Sequence, residues 1–240
     1  MKTLIIVAIT IITFQSNWAQ AQESKNGPLT SGRAPSFTAI STHGEINFPY
    51  DYFGKWKILF SHPADFTPVC TTEILALAEM QDDFKDLKTA LIVISTDGLN
   101  SHIEWIRSME SIAAENMNPV KIDFPLIADT DLKVSRLYGL LQPGPSERDI
   151  RGVVFIDPDN EIRAFFHYPE SIGRNIPEIK RTLIALQTKD RHDVLTPANW
   201  QPGEEVLINS PASIRDAERL EQRNDPKLRK AAWYLWYRTL

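Results

Sequence analysis

The sequence predicts an α/β fold, with a mostly parallel central sheet flanked by helices and a small C-terminal extension. Three observations predict it. Apolar runs of strand length alternate with segments whose apolar residues return every three or four positions, the mark of strands connected by helices. One run, Ala90-Leu91-Ile92-Val93-Ile94-Ser95, is apolar almost throughout, as a strand covered on both faces requires. The alternation fades beyond Thr188, where Pro197, Pro202 and Pro211 interrupt the pattern.

The chain opens with Met1-Lys2, an apolar stretch over residues 4–14 and the small residues Ala19-Gln20-Ala21. Residues 1–21 therefore read as a secretory signal peptide, and the expected location is exported, periplasmic or secreted. The stretch is too short to cross a bilayer comfortably, so no stable membrane span is expected after its removal; an uncleaved N-terminal anchor is the rival reading. Residues 22–32 are polar with Gly and Pro, as in a linker. Residues 37–40 and 45–48 make two small strands around His43-Gly44, and residues 57–61 make a buried strand. Leu77, Met80, Phe84 and Leu87 mark one helix, Ile103, Ile106 and Ile112 a second over 100–117, and residues 131–138 a third closed by Gly139. Residues 153–156 and 162–166 form a hairpin across Asp157-Pro158-Asp159-Asn160. Ile176, Ile179, Leu183 and Leu186 mark a fourth helix.

With 42% hydrophobic and 24% charged residues, the 240-residue chain is of globular composition and long enough for a substantial core. A net charge of −5 with scattered Lys and Arg excludes the electrostatic footprint of a nucleic-acid binder.

Cys70 is the only cysteine, so no disulfide forms within the chain. A lone cysteine is often just a small buried apolar side chain. Its neighbours argue otherwise. Thr67 can cap a helix and Pro68 suits the first helical position, which puts Cys70 in the first turn. There the free N–H groups and the helix dipole favour a sulfur anion, the nucleophilic form. In an exported protein a leftover cysteine points to a reactive thiol or to a bridge between chains.

The order Pro63, Thr67, Cys70 is the P-x-x-x-T-x-x-C signature of peroxiredoxins, and residues 60–73 closely resemble their one-cysteine, peroxiredoxin 6-type subfamily. The resemblance continues in Arg151-Gly152-Val153-Val154-Phe155-Ile156, from Tyr168-Pro169 to Gly173-Arg174-Asn175, and in Thr196-Pro197-Ala198-Asn199-Trp200. It implies a thioredoxin-like domain over 31–188 and a C-terminal extension over 189–240. It also implies a thiol-dependent peroxidase acting on hydrogen peroxide and organic hydroperoxides, and assembly as a homodimer or larger homo-oligomer. On this resemblance Cys70 is the attacking sulfur, Thr67 binds the peroxide through its hydroxyl, Arg151 holds sulfur and peroxide, and Pro63 shields the sulfur. Arg148 and Arg163 are neighbouring alternatives to Arg151, but only Arg151 has the Gly-Val-Val-Phe context.

Glu73 shares a helical face with Cys70 and is expected to orient an arginine, with Arg174 the candidate. Thr67 has a second reading as a helix cap alone. His62 resembles the subfamily's histidine near the sulfur, or is a structural histidine ending a strand. His43, His102, His167 and His192 lack ligand spacing, and no metal or cofactor is expected. The sulfenic acid formed on Cys70 has no partner cysteine in the chain. An external thiol of unspecified identity, or Cys70 of another chain, must resolve it.

Some members of the subfamily carry a lipid-hydrolysing serine just before the cysteine strand. Lys55 stands at that place, so no such activity is expected. The aromatic tail, residues 233–237, is expected to dock on a core or dimer surface, or to act as an arm over a neighbour's Cys70. Two other functions use or tolerate the same features: a redox sensor or relay, and a holdase-type chaperone.

Overall fold

The computed structural model describes residues 31–116, 118–145 and 147–240. The expected signal segment lies outside them. Eleven strands and six helices follow one another in the described residues. The first strands are β1 (Gly32–Arg33), β2 (Phe37–Ser41), β3 (Gly44–Phe48) and β4 (Trp56–Ser61). Then come α1 (Pro68–Glu79), α2 (Gln81–Asp86), β5 (Thr89–Ser95), α3 (Leu99–Glu115), β6 (Leu126–Ala128) and α4 (Lys133–Tyr138). β7 (Arg151–Ile156), β8 (Glu161–Tyr168) and α5 (Ile176–His192) complete the main layer. The extension holds β9 (Val206–Leu207), α6 (Ile214–Glu221), β10 (Leu228–Ala232) and β11 (Leu235–Arg238).

The main sheet has eight strands in the order β1-β8-β7-β4-β5-β6-β2-β3. It is mixed rather than mostly parallel. Only β4–β5 and β5–β6 pair in parallel. The two hairpins, β2–β3 and β7–β8, add antiparallel strands on either side of this trio. A hairpin turn necessarily reverses the chain, so the hairpins visible in the sequence already limit the parallel share.

Both faces of the sheet are covered. One face packs Ile58, Phe60, Val93 and Val153 against α1, α3 and α5 through Ile74, Trp105, Met109 and Ile179. The other packs Leu59, Ile92, Ile94 and Val154 against β2, β3 and α4 through Phe37, Phe48 and Tyr138. This explains the unbroken apolar runs of β4 and β5.

Three elements differ in detail from the sequence pattern. The helix through Leu77, Met80, Phe84 and Leu87 is two, α1 and α2, meeting at Met80 (φ −107°, ψ 3°). Both present apolar residues to one core, and periodicity does not register the break. α4 begins at Lys133 because the Asp129 carboxylate accepts the N–H groups of Val134 (2.9 Å) and Ser135 (2.7 Å). Past His192 the chain is not irregular: β9, β10 and β11 form a small antiparallel sheet. Trp236 is buried in it, while Trp233 and Tyr234 stand exposed at the hairpin tip.

Candidate active site

β4 delivers the chain to a short loop, residues 62–67, and α1 starts at its end. Thr67 occupies the N-cap position in extended backbone (φ −102°, ψ 146°), but its side chain does not cap the helix. Its hydroxyl donates to Ala64 O at 2.9 Å instead. Pro68 has no N–H to offer. The hydroxyl proton is thereby committed, and the lone pairs of Thr67 Oγ1 remain to accept a hydrogen bond from a bound molecule.

Cys70 lies in the first turn of α1 and is fully buried. Arg151, the first residue of β7, donates from Nη1 to Cys70 Sγ at 3.2 Å. The same nitrogen donates to Glu73 Oε2 at 2.8 Å, and Nε donates to Glu170 O at 2.7 Å. Glu73 also faces Arg174. The Arg174 backbone N–H and Nε donate to Glu73 Oε1, each at 2.8 Å, and Nη2 donates to Oε2 at 2.7 Å. Arg174 Nη1 then ties together Ser61 O (2.7 Å) and Gly152 O (2.8 Å), joining the end of β4 to the start of β7. Its guanidinium lies 3.3 Å from the centroid of the Phe60 ring.

All four side chains are buried, with Cys70 at 0%, Glu73 and Arg151 at 2% and Arg174 at 6% exposure. Two guanidiniums against one carboxylate leave one positive charge. A thiolate on Cys70 would bring this desolvated cluster to neutrality, the arrangement in which buried charges cost least. Burial pulls the Arg174 guanidinium down from its ordinary value, and hydrogen bonding to Glu73 opposes that pull. The structure brings Arg151 alone of the three candidate arginines to the sulfur. Arg163 binds Asp190 through Nη1 (2.6 Å) and Nη2 (2.9 Å), and Arg148 lies 3.9 Å from Glu170. A recess lined in part by Gln142, Ile150 and Tyr168 reaches Arg151 from outside.

Pro63 is buried in the same loop. His62, fully buried, packs with its ring 5.0 Å from that of Trp105 at a tilt of 36°. Its imidazole is held well below the ordinary histidine range, first by burial and then by repulsion from His102 and Arg174. The Ala64 backbone opposes that shift; neither ring nitrogen has a hydrogen-bond partner among the described residues, and Nε2 lies 3.7 Å from Asp65 Oδ1. His62 is therefore a neutral group beside the cationic cluster. Sequence reasoning did not assign Asp65, Asp97, His102 or Trp105, which pack around the loop. Asp65 sits inside the motif itself and was the available signal.

The AhpC/TSA family matches residues 31–165, and the C-terminal domain of 1-Cys peroxiredoxin matches residues 185–222. The chain is a one-cysteine peroxiredoxin. It is 46% identical over 210 residues to a peroxiredoxin of Methanosarcina mazei, covering 87% of this chain and 96% of that one. A Thermotoga petrophila peroxiredoxin is 44% identical over 202 residues, covering 82% and 92%. Among solved structures, a yeast mitochondrial 1-Cys peroxiredoxin superposes with a TM-score of 0.78 at 36% identity, covering 88% of this chain and 99% of that one. That work concerned thiol resolution via glutathione and thioredoxin systems. A cysteine-to-serine mutant of the peroxiredoxin 6 of Arenicola marina gives the same TM-score at 31% identity, covering 89% and 98%. The thioredoxin-like fold and the thiol-dependent peroxidase activity read from the sequence hold for this peroxiredoxin.

Proposed function

We propose that Cys70 reduces hydrogen peroxide and small organic hydroperoxides as a thiolate held by Arg151. The observation that carries this reading is the Arg151 Nη1–Cys70 Sγ contact inside a cluster that lacks one negative charge. The sulfur attacks one oxygen of the O–O bond. The S–O bond forms as the O–O bond breaks, and the other oxygen leaves with the electron pair as hydroxide or alkoxide. Cys70 is oxidised by two electrons to the sulfenic acid and the peroxide is reduced. Arg151 stabilises the charge as it passes from sulfur to the leaving oxygen, a role suited to a fixed multi-donor cation. Thr67 Oγ1 accepts a hydrogen bond from the peroxide and orients it, and Pro63 screens the sulfur. Glu73 and Arg174 hold Arg151 in place, and His62 adds no competing charge.

An external thiol then reduces the sulfenic acid, releasing water and forming a mixed disulfide that a second thiol cleaves. The single cysteine supports this, as does the similarity to a 1-Cys peroxiredoxin studied with glutathione and thioredoxin systems. We further propose that the protein is exported after loss of residues 1–21 and works as a homodimer. Stopped-flow mixing of reduced protein with hydrogen peroxide, followed by mass spectrometry, tests the chemistry. One added oxygen on Cys70 and steady turnover with dithiothreitol are expected. An unmodified Cys70 in excess peroxide overturns the reading.

A further inference from the structure

We propose that His102 is a positioning residue for the peroxidatic loop: through Asp65 it pins residues 63–67 and sets the balance between attack on peroxide and release to the resolving thiol. This rests on the peroxidase reading above. The loop is costly to hold. Phe66 has φ 53° without being glycine, and its side chain is 58% exposed, so it adds little apolar burial to offset the strain. Two contacts at the preceding residue, one part-buried and one buried, hold the loop. The Asp65 N–H donates to Asp97 Oδ2 at 2.9 Å, and Asp65 Oδ2 meets His102 Nδ1 at 2.8 Å. On the far side of the ring, His102 Nε2 meets Ile127 O at 3.1 Å. One imidazole on α3 thus links the loop to β6.

The proton count makes this link directional. Ile127 O only accepts, so Nε2 carries a proton. The Nδ1–Oδ2 contact then holds one more proton, on nitrogen or on oxygen, and the pair is electrically neutral in either arrangement. His102 is fully buried with both ring nitrogens partnered, which makes it a firm tether. α3 grips the loop's other end as well. Three residues along, Trp105 Nε1 donates to Thr71 Oγ1 (3.2 Å), which itself donates to Thr67 O (2.9 Å).

No hydrogen bond joins His102 or Asp65 to Cys70 or Arg151 among the described residues, so their action is on geometry. The two half-reactions ask opposite things of that geometry. Attack on peroxide needs Thr67, Cys70 and Arg151 fixed together. Reduction by a thiol needs the sulfur, at 0% exposure, to be uncovered. A tether on the loop favours the first at the expense of the second.

The test compares His102→Gln, whose amide reaches Ile127 O but not Asp65, with His102→Asn, whose amide reaches Asp65 but not Ile127 O. The rate constants for peroxide oxidation and for reduction of the sulfenic acid by dithiothreitol are measured separately. Loss of one buried hydrogen bond, with its partner left unpaired, predicts a shift of about tenfold in their ratio for His102→Gln, towards reduction. His102→Asn is expected to stay within about threefold of the parent. Equal behaviour of the two variants, or an unchanged ratio in His102→Gln, overturns the proposal, because a merely structural histidine would show one or the other. Asp65→Ala removes the tether from the opposite side without stranding a carboxylate, and carries the test where His102→Gln fails to fold: the same shift towards reduction is expected, and an unchanged ratio overturns the proposal. Amide hydrogen exchange over residues 64–71 in the reduced proteins reads the tether without any peroxide chemistry. Faster exchange in His102→Gln than in His102→Asn is expected, even where the peroxidase reading itself has failed.

Discussion

Arg151 and Arg174 share one carboxylate, and lysine substitutions should separate what each does. Arg151 makes its contacts from two nitrogens: Nη1 serves Cys70 Sγ and Glu73 Oε2, and Nε serves Glu170 O. A lysine ammonium is a single point of donation and cannot span these positions. In Arg151→Lys the ammonium is expected to follow the charged carboxylate and leave the sulfur. Removing one preorganised donor from developing charge slows a reaction by about 10²–10³-fold. Stability should suffer less, by about 2 kcal/mol, because Glu73 keeps its three bonds from Arg174. Arg174→Lys inverts the pattern. It breaks the two-nitrogen grip on Glu73 and strips Ser61 O and Gly152 O of their donor, in a site with 6% exposure. Breaking a buried ionic pair costs about 3–5 kcal/mol. The assays are stopped-flow oxidation by hydrogen peroxide and urea denaturation on both variants. A rate for Arg151→Lys within about threefold of the parent, less than about 1 kcal/mol of barrier, would refute the assignment of catalytic work to this guanidinium.

Other outcomes follow from single sites. A Cβ on Gly152 would sit 2.9 Å from Ser61 Oγ and 3.0 Å from Leu140 Cδ2, so Gly152→Ala should lower the urea midpoint through overpacking of about 1–3 kcal/mol. Asp149 is fully buried, and burial, with help from Asp129 and Asp97, holds its carboxyl well above the ordinary range. The folded chain therefore keeps a proton that the unfolded chain releases near pH ~4, and stability falls as pH rises from there towards the folded value. Asp149→Asn removes that loss, so its gain in unfolding free energy over the parent, read by urea denaturation, should be near zero at pH ~4 and grow by up to about 1.4 kcal/mol per pH unit within the window; a pH-independent difference contradicts this. Trp233 (60% exposed) and Tyr234 (53%) project from the β10–β11 tip. If that tip contacts a second chain, Trp233→Ser with Tyr234→Ser should reduce the mass seen by light scattering, and an unchanged mass removes the tip from the interface.

Much of the site was legible because its pieces are short-range. The order Pro63, Thr67, Cys70 places the sulfur at a helix start, and Glu73 follows on the same face within one turn. Arg151 and Arg174 were legible from their local strand and turn contexts, although the geometry that unites them spans more than a hundred residues. What was not legible depends on packing across the sheet. The mixed strand order places β7 beside β4, and apolar periodicity carries no information about neighbours. Asp65 and His102 sit 37 positions apart, and His102, judged only for metal spacing, gave no hint that a carboxylate would meet it. Thr67 shows the converse failure. A threonine before a proline reads as a capping side chain, yet the Ala64 carbonyl lies within reach and takes the hydroxyl proton. The tail defeated the reading because strands of two to five residues are too short to display alternation.

The thiol's electrostatics and its accessibility are opposed by construction. Two guanidiniums and one carboxylate, all at most 6% exposed, raise the local potential at the sulfur most effectively when water is excluded, because screening falls with local dielectric. The same exclusion puts Cys70 beyond the reach of any bulky reductant. A sulfur resolved from outside must therefore leave the cluster to be reduced, and on leaving it uncovers a net positive charge on Glu73, Arg151 and Arg174. Return is favoured by that charge once the thiolate is regenerated, whereas the neutral sulfenic acid feels no such pull. On the thiolate mechanism proposed above, the oxidation state of one sulfur biases the loop: a reduced anion is drawn in beside Arg151, and an oxidised, uncharged form is freer to open towards the thiol that resets it.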